Sequence, residues 1–214
     1  MDQPHAVALL TLFRKLTTFV LIPYLIYRYL FRFSLSDFGL SFKWSKVFSR
    51  QSVLIFIIMS SAALALNYFG GSGAKPIRDG LFSPGQLLLA LPLLFAWEFL
   101  EVGLVEEFFF RGLFQNRLTA LLKSNWAGIC ISSLIFGLVH APGMYLRGAG
   151  AIEGLGEAPT LLACIGYCIA VQSAAGFFFA ILWSRTRNLW LLMAIHAMTD
   201  LLPHTARFIR DWGF

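Results

Sequence analysis

The chain has 214 residues, of which 58% are hydrophobic and only 13% are charged. Soluble domains are typically about 45–50% apolar and about 25% charged. This composition excludes a disordered protein, a nucleic-acid-binding domain and an ordinary soluble enzyme. The net charge of +6 comes from basic residues between apolar runs, a distribution typical of membrane loops.

Apolar runs in the sequence predict the helices. A membrane-spanning helix needs about 20 mostly apolar residues. Six runs approach that length, at roughly 8–31, 52–69, 86–122, 126–141, 160–184 and 189–204. The sequence therefore predicts an all-α fold, a polytopic bundle of about six transmembrane helices forming a single membrane domain, 1–214.

The third apolar run is unusually long. Its roughly 37 residues would extend about 55 Å as one straight helix, whereas a bilayer core is about 30 Å thick. We therefore expect this run to tilt, kink, protrude from the bilayer or break near Gly103. The fourth run is expected to end at Ala141-Pro142-Gly143, followed by a Gly-rich connection over 143–159.

Ionisable side chains interrupt the third run. A charge at the centre of a spanning helix costs at least about 2.5–3.5 kcal/mol, so such residues are functional candidates. Glu107 and Arg111 are four residues apart, share a helical face and can pair. Glu106 is rotated from Glu107 by about 100° and is the less neutralised carboxylate. A purely structural ion pair is the alternative interpretation.

Two further runs contain histidines. His140 ends the fourth run, four residues after Phe136, and could be an isolated interfacial histidine. His196 and Asp200 share one face of the sixth run, where they can bond to each other or point together at a ligand. Since Glu106 and His140 lie at similar distances from the turn near 124–125, they are predicted at similar depth on adjacent antiparallel helices.

Three other ionisable residues receive a plainer interpretation. Glu98 and Glu101 are expected either at the membrane interface or along a cavity. His204 is expected to be an ordinary interfacial residue.

The intramembrane glutamates, histidines and aspartate together indicate hydrolysis. A carboxylate can take a proton from water, a histidine can orient the water, and a second polar pair can stabilise an oxyanion. The same residue types could also bind zinc. The His-Glu-x-x-His pattern of many zinc proteases is absent from the sequence, however.

Three motifs in this order resemble those of the CAAX-protease and bacteriocin-processing family of intramembrane proteases. They are Glu106-Glu107…Arg111, Phe136…His140 and His196…Asp200. The resemblance covers about residues 84–204, which it marks as the catalytic core. Residues 1–83 would be N-terminal transmembrane helices.

The resemblance implies a role for each motif residue. Glu106 would be the general base, assisted by His140, while His196 and Asp200 would hold the oxyanion. Glu107 would support the site, with Arg111 and Phe136 as structural support. Prenyl-protein proteases of this family carry Asn at the position of Asp200. Because an ionised Asp cannot donate a hydrogen bond, Asp200 would either be protonated or orient His196. The family is glutamate-type, so no cofactor is expected, with zinc as the alternative.

The leading hypothesis is an endopeptidase that cuts a membrane-anchored or lipidated protein or peptide. We expect an integral, multi-pass protein of a bacterial inner (cell) membrane, with no nucleic-acid partner. One alternative is a non-catalytic immunity or scaffold protein that binds a peptide or partner in the same chamber. Another is a proton-coupled carrier, which inverted repeats would favour, and no internal repeat is apparent in the sequence.

Overall fold

The computed structural model describes residues 4–152 and 157–214, and in these ranges it contains helices and no strand. The all-α prediction is therefore confirmed. The helices, in chain order, are α1 (His5–Leu30), α2 (Trp44–Val47), α3 (Arg50–Gly70), α4 (Lys75–Arg78), α5 (Pro84–Leu122), α6 (Asn125–Arg147), α7 (Leu161–Thr186) and α8 (Leu189–Trp212).

Five of these helices are long and apolar enough to cross a membrane, namely α1, α3, α5, α6 and α7. They correspond to the first five predicted runs, and the chain is an integral membrane protein. The sixth run also forms a helix, α8, which extends eight residues beyond the predicted end at 204 and continues through Pro203. This helix is long enough to span, but it is more polar than the other five.

Helix α5 is one continuous helical run, which excludes one of the four alternatives for this run, a break near Gly103. It departs from α-helical geometry instead, with π-helical segments at Phe99–Leu104 and Glu107–Gln115. In a π-helix the hydrogen bonds run between residues five apart. A π-helix has roughly four to five residues per turn, so Glu107 and Arg111 still project from nearly the same face of this segment, and their pairing stays a prediction.

The end of α6 differs from the prediction. After a turn at Val139 and His140 the chain becomes helical again over Ala141–Arg147. Pro142 lies in the first turn of this short segment, where proline is favoured because its missing N–H would have no partner. The proline thus starts a helical segment, and the predicted connection over 143–159 begins later. Residues 153–156 of that connection lie outside the described residues.

The described chain falls into two compact units. The first holds the chain up to Phe109 together with Asn188–Phe214, and the second holds Phe110–Arg187. Helix α8 is the central helix of the first unit, where it packs against α3, the first part of α5 and α1. The Asn188 side chain caps α8 by accepting a bond from the Leu191 N–H, and it donates to Ser52 Oγ at 3.2 Å.

A glycine brings the backbones of α5 and α8 together. An added Cβ at Gly103 would lie 2.7 Å from the backbone oxygen of Met193, which is closer than real Cβ atoms approach. Only glycine therefore permits this separation of the two helices. Because Gly103 lies one turn before Glu106 and Glu107, and Met193 one turn before His196, the close contact positions these side chains opposite one another.

The second unit is organised around α6. Helix α7 and the last turns of α5, Asn116–Leu122, both pack against it. Small residues again line the contacts, since a Cβ at Gly137 would lie 2.6 Å from the backbone oxygen of Cys168. Gly176 of α7 leaves space in the same way for the ring of Phe136.

Candidate active site

The candidate site of the first unit is centred on His196. This histidine is buried on α8, and its Nδ1 lies 2.6 Å from Oε1 of Glu107 on α5. The Glu107 side chain is completely inaccessible to solvent. A short bond between a buried carboxylate and an imidazole fixes the orientation of the ring. Glu107 is thus the residue that orients His196.

The second nitrogen of His196 faces two more carboxylates. Its Nε2 lies 3.9 Å from Oε2 of Glu106 and 3.9 Å from Oδ2 of Asp200. Both distances are too long for direct hydrogen bonds, and polar groups at this separation are commonly bridged by water. The Glu106 and Asp200 side chains are 22% and 29% exposed, whereas Glu107 is fully buried. The open side of the cluster is therefore formed by Nε2, Glu106 and Asp200.

This arrangement can perform acid–base chemistry. A partly exposed carboxylate beside an imidazole nitrogen can accept a proton from a bound water, and the imidazole can donate to a developing negative charge. The buried Glu107 carboxylate balances a positive charge on the ring. The sequence-predicted residues Glu106, Glu107, His196 and Asp200 thus come together in one cluster.

The other predicted residues, Arg111, Phe136 and His140, come together in the second unit. The buried guanidinium of Arg111 lies over the Phe136 ring, 4.2 Å from its centroid, and Arg111 Nη2 donates to the Gly176 oxygen at 3.3 Å. His140 packs edge-on against Phe136, and its Nδ1 lies 2.7 Å from the Phe136 backbone oxygen. Since a carbonyl only accepts, Nδ1 carries the proton and Nε2 of a neutral ring is the accepting nitrogen.

A second carboxylate–histidine pair escaped the sequence analysis. His204 Nδ1 lies 2.8 Å from Oε1 of Glu98, whose side chain is 1% exposed. His204 was predicted to be an ordinary interfacial residue, and that prediction is wrong. The sequence did contain a signal, because His196, Asp200 and His204 follow one another at four-residue intervals on one helical face.

Glu101 has a different environment. It accepts hydrogen bonds from Lys15 Nζ at 3.0 Å and from the indole N–H of Trp97. These contacts join α1 to α5 and belong to neither cluster. Glu101 therefore links two helices, and it also lines a cavity, which is one of the two settings expected for it.

The fold and these clusters define a class, that of integral membrane proteins with a buried glutamate–histidine site. A family model described as "Type II CAAX prenyl endopeptidase Rce1-like" matches residues 88–202, more than half of the chain. The chain belongs to this family of prenyl endopeptidases. The match contains all three motifs, so the resemblance found from the sequence is confirmed. Comparisons with curated proteins and with solved structures found no match.

Proposed function

We propose that this family member is an intramembrane endopeptidase in which Glu106 activates the attacking water. The observation that carries the proposal is the position of His196 between three carboxylates. Glu107 holds Nδ1 at 2.6 Å, while Glu106 and Asp200 both lie 3.9 Å from Nε2. A water molecule or a substrate carbonyl group between Nε2 and the two outer carboxylates would complete this geometry.

Catalysis on this proposal proceeds in two steps. Glu106 takes a proton from water as the water oxygen attacks the carbonyl carbon of the scissile peptide bond. His196, an imidazolium paired with the Glu107 carboxylate, donates from Nε2 to the resulting oxyanion. When this intermediate collapses, the C–N bond breaks and protonated Glu106 gives its proton to the leaving amine. The products are a carboxylic acid and an amine, and the Glu106 carboxylate is regenerated.

The remaining motif residues receive supporting roles. Asp200 stabilises the oxyanion side, as a protonated carboxyl or through His196. His140 assists Glu106 in orienting water, and its Nδ1 bond to the Phe136 oxygen supports this role because it leaves Nε2 as the accepting nitrogen. Arg111 and Phe136 give structural support through their stacked contact. We assign these residues to a catalytic core over 84–204 within a single membrane domain, 1–214.

The substrate we propose is a membrane-anchored or lipidated protein or peptide, cut within a bacterial inner membrane. A site built from buried side chains of membrane helices supports a substrate that reaches it from the bilayer. Water activation is assigned to Glu106, so the proposal requires no cofactor. Zinc held by the same residues is the alternative mechanism.

The test compares wild-type protein with Glu106→Gln in host membranes. New protein and peptide termini are identified by terminal-peptide proteomics. Glutamine retains the size of glutamate but cannot accept the proton of water, so termini present with the wild type should disappear. Glu101→Gln is the matched control, because it makes the same exchange five residues earlier on α5, at a residue bonded to Lys15 and Trp97.

Two outcomes would decide against the proposal. Normal proteolysis by a stably inserted Glu106→Gln protein would remove Glu106 from the chemistry. If the wild-type and Glu106→Gln membranes contain the same protein and peptide termini, even after a candidate precursor is co-expressed, the non-catalytic binding protein is favoured instead.

A further inference from the structure

The pair formed by Glu98 and His204 has no role in the proposed hydrolysis. Glu98 lies on α5, and His204 lies on α8 one turn beyond Asp200. Oxygen atoms of Glu98 and Asp200 and a ring nitrogen of His204 all lie within 4.8 Å of one another. The two ligands from α8 are four residues apart and so project from the same helical face. Glu98 contributes the third from the opposite helix.

This donor set is one that divalent metals accept. Zinc binds imidazole nitrogen and carboxylate oxygen at about 2.0–2.2 Å in tetrahedral geometry, so its ligand atoms lie about 3.4 Å apart. The three donor atoms lie within 4.8 Å of one another, and rotation of the side chains towards a common centre would bring them onto one ion. Three protein ligands leave one tetrahedral position for water.

An independent observation points to a missing partner for Glu98. Its Oε1 receives the bond from His204, but its Oε2 is buried and makes no hydrogen bond within the residues that the structure describes. A buried carboxylate oxygen without a partner is costly, typically by about 1–3 kcal/mol or more. A cation would satisfy this oxygen. A divalent ion would also balance the two carboxylates of Glu98 and Asp200, giving a neutral site among apolar helices.

The cluster adjoins a space that an ion can enter. A cavity of about 360 Å³ is lined by Glu98 and His204, and its other walls include Trp97, Glu101, Arg207 and Phe208. Arg207 is exposed at the wall of this cavity. The carboxylate of Glu98 is therefore buried from bulk solvent yet lines a cavity large enough for a hydrated ion.

We propose that Glu98, Asp200 and His204 form a site for a divalent cation of the zinc type. Glu106 and His196 are not among its ligands, so the ion would lie beside the hydrolytic cluster rather than in it. It would hold Asp200 as an ionised carboxylate between His204 and His196. The existence of the site does not depend on the proposed proteolysis.

The test measures zinc binding directly. The full chain, purified in detergent with its affinity tag removed and stripped with a chelator, is equilibrated with Zn²⁺. Bound metal is then measured by mass spectrometry. The wild type should bind one Zn²⁺ per chain. Glu98→Gln and His204→Gln should each raise the Kd at least about 10- to 100-fold, the range seen when even an outer-shell partner is lost. Zn²⁺ should also raise the Tm of the wild type but not that of these variants.

Two matched variants separate this site from its neighbours. Glu101→Gln removes another acid of the same helix and cavity that is not among the three ligands, so this variant should bind Zn²⁺ as the wild type does. Glu106→Gln should keep its Zn²⁺ while losing proteolysis, so failure of one proposal is distinguishable from failure of the other. Absence of stoichiometric binding by the wild type would overturn the cation site. Loss of binding in Glu106→Gln would overturn it too, because the ion would then occupy the hydrolytic cluster.

Discussion

Glu107 and His196 lie 89 residues apart in the chain and meet at 2.6 Å between two helices of the first unit. Both side chains are buried. The bond occupies Nδ1, so it decides which ring nitrogen faces Glu106 and Asp200. On the proposed mechanism, the buried Glu107 thus influences the reaction at Glu106 by orienting the ring of His196.

Exchange of Glu107 for glutamine should therefore impair catalysis while preserving the fold. The amide keeps the shape and one hydrogen bond, but it removes the negative charge that balances His196. We expect kcat to fall by about 10²–10⁴ with little change in KM, as for orienting carboxylates and oxyanion donors elsewhere. Cleavage of a substrate peptide identified in the membranes gives the measurement. Wild-type kcat in Glu107→Gln would show that the charge has no part in the reaction.

Substitutions at Asp200 distinguish its two possible contributions. If Asp200 donates a hydrogen bond to the oxyanion, Asp200→Asn should retain activity within about tenfold, because an amide also donates. Asp200→Ala should then lose about 10²-fold or more. The assay compares kcat/KM for the two variants side by side. Equal loss in both would instead mean that the negative charge of Asp200 is what the site requires.

Replacing Gly103 by alanine, which adds only one methyl group, should already destabilise the protein. A Cβ at this position would press on the Met193 backbone, which cannot move aside as a flexible side chain can. We expect Gly103→Ala to lower the free energy of unfolding by about 1–3 kcal/mol and to reduce activity. Denaturant titration in detergent measures the loss.

Gly166 of α7 provides the control for that substitution. Outside its own helical turn, no atom of the described residues lies within 4 Å of an added Cβ there, and alanine is the better helix former by about 1 kcal/mol. Gly166→Ala should be as stable as the wild type or more so. A comparable loss of stability at both glycines would argue against the close approach of α5 and α8 as the cause.

The contact between Arg111 and Phe136 should be measurable as a coupling energy. A double-mutant cycle with Arg111→Lys and Phe136→Leu should give about 0.5–2 kcal/mol, because the planar guanidinium stacks on the ring in a buried setting. The guanidinium of Arg187 is exposed and lies 5.2 Å from the Trp183 centroid. A cycle with Arg187→Lys and Trp183→Leu should therefore give a smaller coupling energy. A coupling near zero for the buried pair would assign the role of Arg111 to its bond with Gly176.

Much of the cluster was predictable because its members violate the apolar pattern around them. Glu106, Glu107, His196 and Asp200 are conspicuous for that reason, and the structure brings these four together. The hydrogen-bond partner of each residue was harder to predict from the sequence. The sequence could not show that His196 bonds to Glu107 rather than to Asp200. Glu107 and His196 lie on different helices, and the distance between them depends on the close contact of α5 and α8 at Gly103.

The local geometry of α5 could not be predicted either. Sequence periodicity assumes 3.6 residues per turn, and nothing in the apolar pattern marks the π-helical segment Glu107–Gln115. Such segments are stabilised by tertiary packing and are frequent at functional sites. The pairing of His204 was missed for a different reason, because the predicted end of the sixth run coincided with that residue whereas α8 continues to Trp212.

The polarity of α8 has a consequence for how the protein is made. The acids of α5 are synthesised long before the histidines of α8 that pair with them, so Glu98 and Glu107 enter the membrane region without those partners. Because an unpaired charge in the bilayer is costly, we expect these carboxylates to stay protonated, hydrated or in contact with other proteins until α8 is made. The Glu107–His196 pair can therefore form only after the last of these helices has been made.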